Sequence, residues 1–287
     1  MQFRTAHSSR LGNRKNNQDR CAVFQRDHYL LLVLADGMGG HKHGEKAAQE
    51  VLDTFETVFH NIPLPISNER IFLQQLSVLA HNSIQEKHGT ETNTPRTTCV
   101  CCLINGSQAI WAHSGDSRLY LFRDEHLYCR TRDHSYIEDM LQSNVITEEE
   151  ANTHPMRNYV TACLGGDSNA PHVNISEPIY LKTGDTILLC SDGLWSAMKS
   201  KQLINKLNEE SLDQAIEDLT DYADKHNYPH SDNCTGLVIR IDDDTPPTGV
   251  STTHIQQPAA GKKDDLQKAI NDIESAYHVY QNEISKK

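Results

Sequence analysis

The chain has 287 residues, enough for one large domain or two small ones with a sizeable buried core. Its 27 basic and 39 acidic side chains leave a formal charge of −12, the wrong sign for a phosphate-backbone binder, so no nucleic-acid partner is expected. A hydrophobic fraction of 37% excludes wholesale disorder, and the longest apolar run, Tyr29–Ala35, is far short of the ~20 residues that span a membrane.

Basic residues near the N-terminus are followed by no apolar stretch, which predicts no signal peptide, no membrane partner and a cytoplasmic location. Cys99, Cys101 and Cys102 are the only cluster among the 8 cysteines, and most of the eight stand inside apolar runs. They read as reduced, buried small hydrophobes in a compartment without disulfides.

In chain order, the β-branched and apolar runs predict strands at Cys21–Phe24, Tyr29–Ala35, Thr98–Ile104, Ala109–His113, Leu119–Arg123, Leu127–Arg130, Thr186–Cys190 and Thr235–Ile241. Two helices are predicted between the second and third strands. In Glu45–His60, residues Ala48, Val51, Phe55, Val58 and Phe59 share a face; in Asn68–His88, residues Phe72, Leu76, Leu79, Ala80 and Ile84 do. A second pair, Ser200–Leu207 and Leu212–Lys225, precedes the last strand. Paired helices between groups of strands, without strict alternation, imply an α+β domain with antiparallel sheets covered by helices.

Residues 1–241 therefore form the folded domain, 242–261 a linker rich in Pro, Ser and Thr, and 262–287 an amphipathic helix. In that last segment Leu266, Ile270, Ile273, Tyr277, Tyr280 and Ile284 recur at spacings of 4, 3, 4, 3 and 4, a heptad seam. The seam either folds back on the domain or serves self-association or docking of a partner.

Chemistry concentrates where strands end in Asp-Gly. Tyr29–Ala35 leads into Asp36-Gly37-Met38-Gly39-Gly40, and Thr186–Ser191 into Asp192-Gly193-Leu194-Trp195. A carboxylate leaving a buried strand is held rigidly, and the glycine lets backbone approach a ligand closely. Asp116 in Gly115-Asp116-Ser117-Arg118, Asp232 before the final strand and Asp19 before the first complete the set. An all-oxygen set favours Mg²⁺ or Mn²⁺ over zinc. Any one Asp-Gly is also an ordinary turn former.

Taken together the motifs resemble the protein phosphatase 2C family, metal-dependent serine/threonine phosphatases, in its bacterial form. The matching stretches are Arg14-x-x-Asn17-Gln18-Asp19, Ala35-Asp36-Gly37-Met38-Gly39-Gly40-His41, Thr97-Thr98, Gly115-Asp116-Ser117-Arg118, Thr131-Arg132-Asp133-His134-Ser135, Cys163-Leu164-Gly165-Gly166, Ser191-Asp192-Gly193-Leu194-Trp195 and Asp232-Asn233-Cys234-Thr235. They occur in the family's order over about Arg4 to Ile241.

The resemblance implies a four-layer α-β-β-α sandwich of two antiparallel sheets flanked by helix pairs. It implies two core Mn²⁺ or Mg²⁺ ions and a third, weaker one. Asp36 then bridges the core ions with the Gly37 carbonyl as a ligand, Asp192 and Asp232 are further direct ligands, and Asp19 acts through water. Asp116 with Asp192 holds the third ion, and Arg14 grips the substrate phosphate, which suits its planar fork. Asp36 and Asp192 are the acids on which catalysis rests.

Two positions depart from better-known members. Gln18 stands where many have Glu, and Met38 where animal members place a histidine thought to protonate the leaving group. His41 is the nearest replacement, with His43 next; either is equally well a surface residue. Ser135 to Asn158 resembles the family's flap, with Thr147 as N-cap before Glu148-Glu149-Glu150 and Arg157 as a further substrate contact. The implied reaction is hydrolysis of phosphoserine or phosphothreonine on proteins, opposing a bacterial serine/threonine kinase. The competing readings are a catalytically weak phosphoprotein-binding regulatory module and a small-molecule phosphohydrolase.

Overall fold

Leu30, Leu32 and Leu34 face one side of their strand and Leu31, Val33 and Ala35 the other, and all six are buried. A strand apolar on both faces has to be covered on both, and this requirement organises the layers. A computed structural model describes residues 2–38, 43–88, 94–166, 170–209 and 211–243. Strands β1 (Gln2–Arg10), β2 (Asp19–Arg26) and β3 (Tyr29–Met38) lead to helices α1 (Gly44–Asn61) and α2 (Glu69–His88). Strands β4 (Arg96–Thr97), β5 (Cys99–Asn105), β6 (Gln108–Ser114), β7 (Arg118–Arg123) and β8 (His126–Arg130) follow, then helices α3 (Tyr136–Gln142) and α4 (Glu148–Thr153). Short strands β9 (Leu164–Gly165), β10 (Asn174–Ile175) and β11 (Ile179–Tyr180) precede β12 (Thr186–Cys190). Helices α5 (Asp192–Trp195), α6 (Ser200–Glu209) and α7 (Leu212–Asn227) then lead into β13 (Cys234–Asp243).

One sheet has the order β1-β13-β12-β7-β8; the other centres on β2-β3-β5-β6, with the short strands at its margins. All pairings are antiparallel. Leu32, Ile104, Leu121, Ile187 and Ile239 fill the space between the sheets. Phe55, Phe59, Leu73 and Leu76 of α1 and α2 cover the outer face of the second sheet, and Leu203, Leu207, Ile216 and Leu219 of α6 and α7 that of the first. This is the four-layer α-β-β-α sandwich. Each fully buried Leu or Ile contributes about 1.5–3 kcal/mol relative to exposure, so the three apolar interlayers carry the stability. Among the described residues no helix is long and apolar enough to cross a membrane.

Helix α1 buries all five residues assigned to its apolar face. It ends where the Ile62 amide caps onto the Val58 carbonyl at 2.9 Å and Pro63 can no longer continue the hydrogen-bond series. All eight cysteines are free.

The structure differs from the sequence expectation in several places. β1 was not predicted: its polar run Arg4-Thr5-Ala6-His7-Ser8-Ser9 carries little strand propensity, and pairing with β13 along its whole length imposes the conformation. β3 continues through Met38, so Asp36 lies within the strand rather than beyond it. β13 runs to Asp243, so Asp242 and Asp243 belong to the domain and not to the linker; an Arg4–Asp242 ion pair at 2.7 Å ties that end to β1. The rest of the linker and the 262–287 helix lie outside the described residues.

Candidate metal centre

Strand register brings the acids to one edge of the sandwich. Arg118, Cys190, Gly236 and Ser8 form a continuous cross-strand row through β7, β12, β13 and β1. Beyond this row the four strands leave their ladders in the same direction: β7 backwards to Asp116, β12 forwards to Asp192, β13 backwards to Asp232 and β1 forwards to Arg14. In the opposing sheet Asp19 and Asp36 are direct cross-strand partners. The two edges are stitched together. Ser191 Oγ donates to Asp19 Oδ2 at 2.8 Å and accepts from the Thr235 amide at 3.0 Å. The Thr98 and Ser117 hydroxyls meet at 2.6 Å.

Close glycine packing makes room for this. A Cβ on Gly37 would fall 2.3 Å from the Gly44 carbonyl oxygen at the start of α1. Gly115 has φ +110° in the turn that delivers Asp116, a conformation that disfavours a side chain.

The electrostatics mark a site that wants positive charge. Burial, and then the charges of Asp19, Asp192, Asp116 and Asp232, push the Asp36 carboxyl well above the usual range. Burial followed by Asp116, Asp232 and Asp19 does the same to Asp192. Asp116 is raised to about 7, by burial first and Asp133 second, and Asp19 to about 6, mainly by burial. Asp19 Oδ1 is buried without a hydrogen-bond partner. An orphaned buried carboxylate oxygen among mutually repelling acids suits a hard divalent cation. Among the described residues no three or more His, Cys, Asp or Glu side chains close into a tight ion cage. Like charges instead turn to local donors: Asp232 accepts from Arg14 Nη2 at 2.5 Å and from the Asn233 amide at 2.8 Å. The donor chemistry fits the ion class.

Arg14 is thus beside the acids, its side chain 56% exposed. Gln18 directs Nε2 to Glu45 Oε2 at 3.2 Å, and His43 Nδ1 lies 3.7 Å from Glu45 Oε1. His43 is therefore joined through Glu45 to the residue preceding Asp19. His41 lies outside the described residues. Arg157 is in the exposed turn after α4, where its amide donates to the His154 carbonyl at 3.1 Å. The flap is a closed excursion: Ser135 bridges Val160, and the Thr161 amide donates to the His134 carbonyl at 2.8 Å. Thr147 caps α4 in a reciprocal capping box with Glu150.

Three features escaped the sequence reading. Asn233 holds the loop carrying Arg14, accepting from the Gln18 amide and donating to the Leu11 and Asn16 carbonyls. Ser191 bridges the sheets. His113, His134 and His172 stack face to face at 4.6 Å spacings, and burial lowers His134 to about 3. Asn233 and Ser191 each stand beside a predicted acid, which was the available signal; nothing local pairs His113 with His172.

A family model described as protein phosphatase 2C matches residues 7–232. The chain belongs to the protein phosphatase 2C family. A putative protein phosphatase 2C-type of Streptococcus pyogenes is 32% identical over 215 residues, covering 73% of this chain and 86% of that protein. Serine/threonine protein phosphatase PstP of Mycobacterium tuberculosis is 31% identical over 241 residues, 83% of this chain and 45% of that protein. The solved S. agalactiae serine/threonine phosphatase has a TM-score of 0.76 at 28% identity, covering 84% of this chain and all of that one. A PstP catalytic domain solved with two manganese ions gives 0.71 at 28%, covering 84% and 99%. With this fold and these bacterial relatives, this protein phosphatase 2C member is a protein-serine/threonine phosphatase, of a metal-dependent type.

Proposed function

We propose that Asp19, Asp36, Asp116, Asp192 and Asp232, with the Gly37 carbonyl, hold two core divalent ions, Mn²⁺ or Mg²⁺, and a third, weaker one. The observation that carries this reading is the convergence of five electrostatically coupled carboxylates, one with an orphaned buried oxygen, on a single edge of the sandwich. Such ions acidify a bound water and neutralise phosphoryl oxygens. Asp36, whose carboxyl feels the charge of all four other acids, would be a ligand of the core ions. Asp192 and Asp232 hold these from the first sheet, and Asp19 orients water from the second. Arg14 presents a planar fork at the rim for the phosphate of the substrate.

No side chain has to become phosphorylated. Burial pushes the thiols of Cys21, Cys102, Cys190 and Cys234 upward, so these cysteines stay protonated and are poor nucleophiles. The complete acid set supports turnover rather than mere phosphoprotein binding. The substrates are phosphoserine and phosphothreonine proteins of a serine/threonine kinase pathway. Arg157 of the flap is a further substrate contact, and His41 the proton donor to the leaving group.

Initial rates on a phosphothreonine peptide and on a sugar phosphate, each with Mn²⁺ or with EDTA, test this. Turnover of the peptide alone, lost in EDTA and restored by Mn²⁺, is expected. Equal turnover in excess chelator overturns the metal reading, and preference for the sugar phosphate overturns the protein substrate.

A further inference from the structure

Asp116 precedes β7 and Asp192 follows β12, two adjacent strands, each acid two residues beyond the Arg118–Cys190 cross-strand pair. Past that pair no ladder bond fixes their separation. On one side of Asp116 the backbone passes through Gly115 at φ +110°, a permissive residue. A side chain from the Asp192 turn closes the gap. Trp195, at the end of α5, donates its indole N–H to the Asp116 carbonyl at 2.9 Å.

The ring is itself held. The Arg118 guanidinium carbon lies 3.5 Å from its centroid, within cation–π range. That guanidinium is locked by two bonds to Asp133, at 2.8 and 2.7 Å, and by a third to the Tyr120 hydroxyl at 3.0 Å. Asp133 is followed by His134, whose amide donates to the Gly115 carbonyl at 2.9 Å, in the peptide that leads into Asp116.

We propose that Trp195 is a positioning residue that sets the spacing of Asp116 and Asp192, and so the affinity of the weaker ion these two acids share. The inference rests on the reading of Asp116 and Asp192 as the acids of that ion. The acids supply the charge, the Trp195–Asp116 bond supplies their register, and the Arg118–Asp133 pair keeps the indole from rotating away. Trp195→Phe removes the N–H donor while keeping a smaller aromatic ring on which Arg118 can rest, and the melting curves register the volume lost with the indole.

The test is Mn²⁺ titration calorimetry on the chelated full-length protein and its Trp195→Phe, Arg118→Lys and Asp116→Asn variants, with melting curves and kcat against Mn²⁺ concentration. Removing one net hydrogen bond predicts roughly five- to tenfold weaker binding at the weakest class of sites in Trp195→Phe, with the tighter classes unchanged. Arg118→Lys, acting on the same indole, is expected to weaken the same class. Excess Mn²⁺ is expected to restore kcat at an unaltered KM, which a general loss of structure does not allow. Loss of the weakest class in Asp116→Asn but its retention in Trp195→Phe overturns the proposal while leaving the ion reading intact. Weakening of every class alike, or a kcat that stays low at saturating Mn²⁺, also overturns it. If Asp116→Asn keeps every class, the ion reading itself fails and the proposal falls with it.

Discussion

Arg14 donates from Nη2 to Oδ2 of Asp232 at 2.5 Å, so the guanidinium read as a phosphate grip rests against an acid of the centre. Both side chains are well exposed, at 56% and 39%, and pairs of this kind contribute only about 0–1 kcal/mol. So weak a bond is readily exchanged for a phosphate dianion, which offers the same fork two oxygens.

Arg14→Ala is therefore expected to raise KM for phosphopeptides roughly tenfold, on the scale of a lost charge-assisted hydrogen bond, with kcat changed much less. Arg14→Lys restores the charge but not the fork, so recovery is partial. Steady-state kinetics on a phosphothreonine peptide decide it, and an unchanged KM removes Arg14 from the phosphate site.

Asp36→Asn and Asp192→Asn are each expected to lower kcat by several orders of magnitude at any Mn²⁺ concentration. Each substitution also relieves repulsion among the five acids, so melting of the chelated protein should be unchanged or higher. Opposite signs for activity and stability identify a functional cluster. A melting temperature that falls with the rate would falsify that reading and make the acids structural.

At the far end of the sandwich, the buried Asp185 carboxylate accepts from Arg123 Nε at 2.8 Å and Nη2 at 2.6 Å, and from the Lys182 amide at 2.9 Å. Asp185→Ala leaves Arg123, only 12% exposed, without that carboxylate, at a cost of about 3 kcal/mol. Urea denaturation is expected to show this loss, with kcat at 25 °C unaltered because the pair is remote from the acids. A large fall in kcat for the folded variant contradicts the separation of the two ends.

β13 starts at the acidic edge and runs for 10 residues to Asp243, about 30 Å further on. The chain after Asp243 therefore leaves from the end opposite the acids. Truncation after Asp244 is expected to leave peptide turnover nearly intact. If the heptad seam pairs two chains, sedimentation finds a dimer for the full-length protein and a monomer for the truncated one. A monomer in both, with a lower melting temperature after truncation, assigns the seam to the domain instead.

Much of the sandwich was legible locally. Buried β3, β5, β12 and the core of β13 announce themselves as apolar runs, because a strand covered on both faces needs apolar residues at every position. The apolar stripes of α1, α2, α6 and α7 are equally plain. β1 was invisible: its residues are mostly polar and exposed, and only its partner β13 makes it a strand. The short β4, β9, β10 and β11 escaped because two residues carry no readable period, and only pairing makes them strands. The acids were identifiable from Asp-Gly and Asp-Asn in family order, but no local pattern announces Ser191, Asn233 or the Trp195–Arg118 stack as parts of one assembly.

By itself the sequence determined the longer apolar elements, the candidate acids and the family, because hydrophobic period and turn chemistry act over a few residues. Only the tertiary structure decided that Asp19 lies directly opposite Asp36, and that Asp116, Asp192 and Asp232 leave three adjacent strands on the same side. Register is a property of pairs of strands. It is fixed by packing two sheets face to face, and it brings together carboxylates more than two hundred residues apart in the chain.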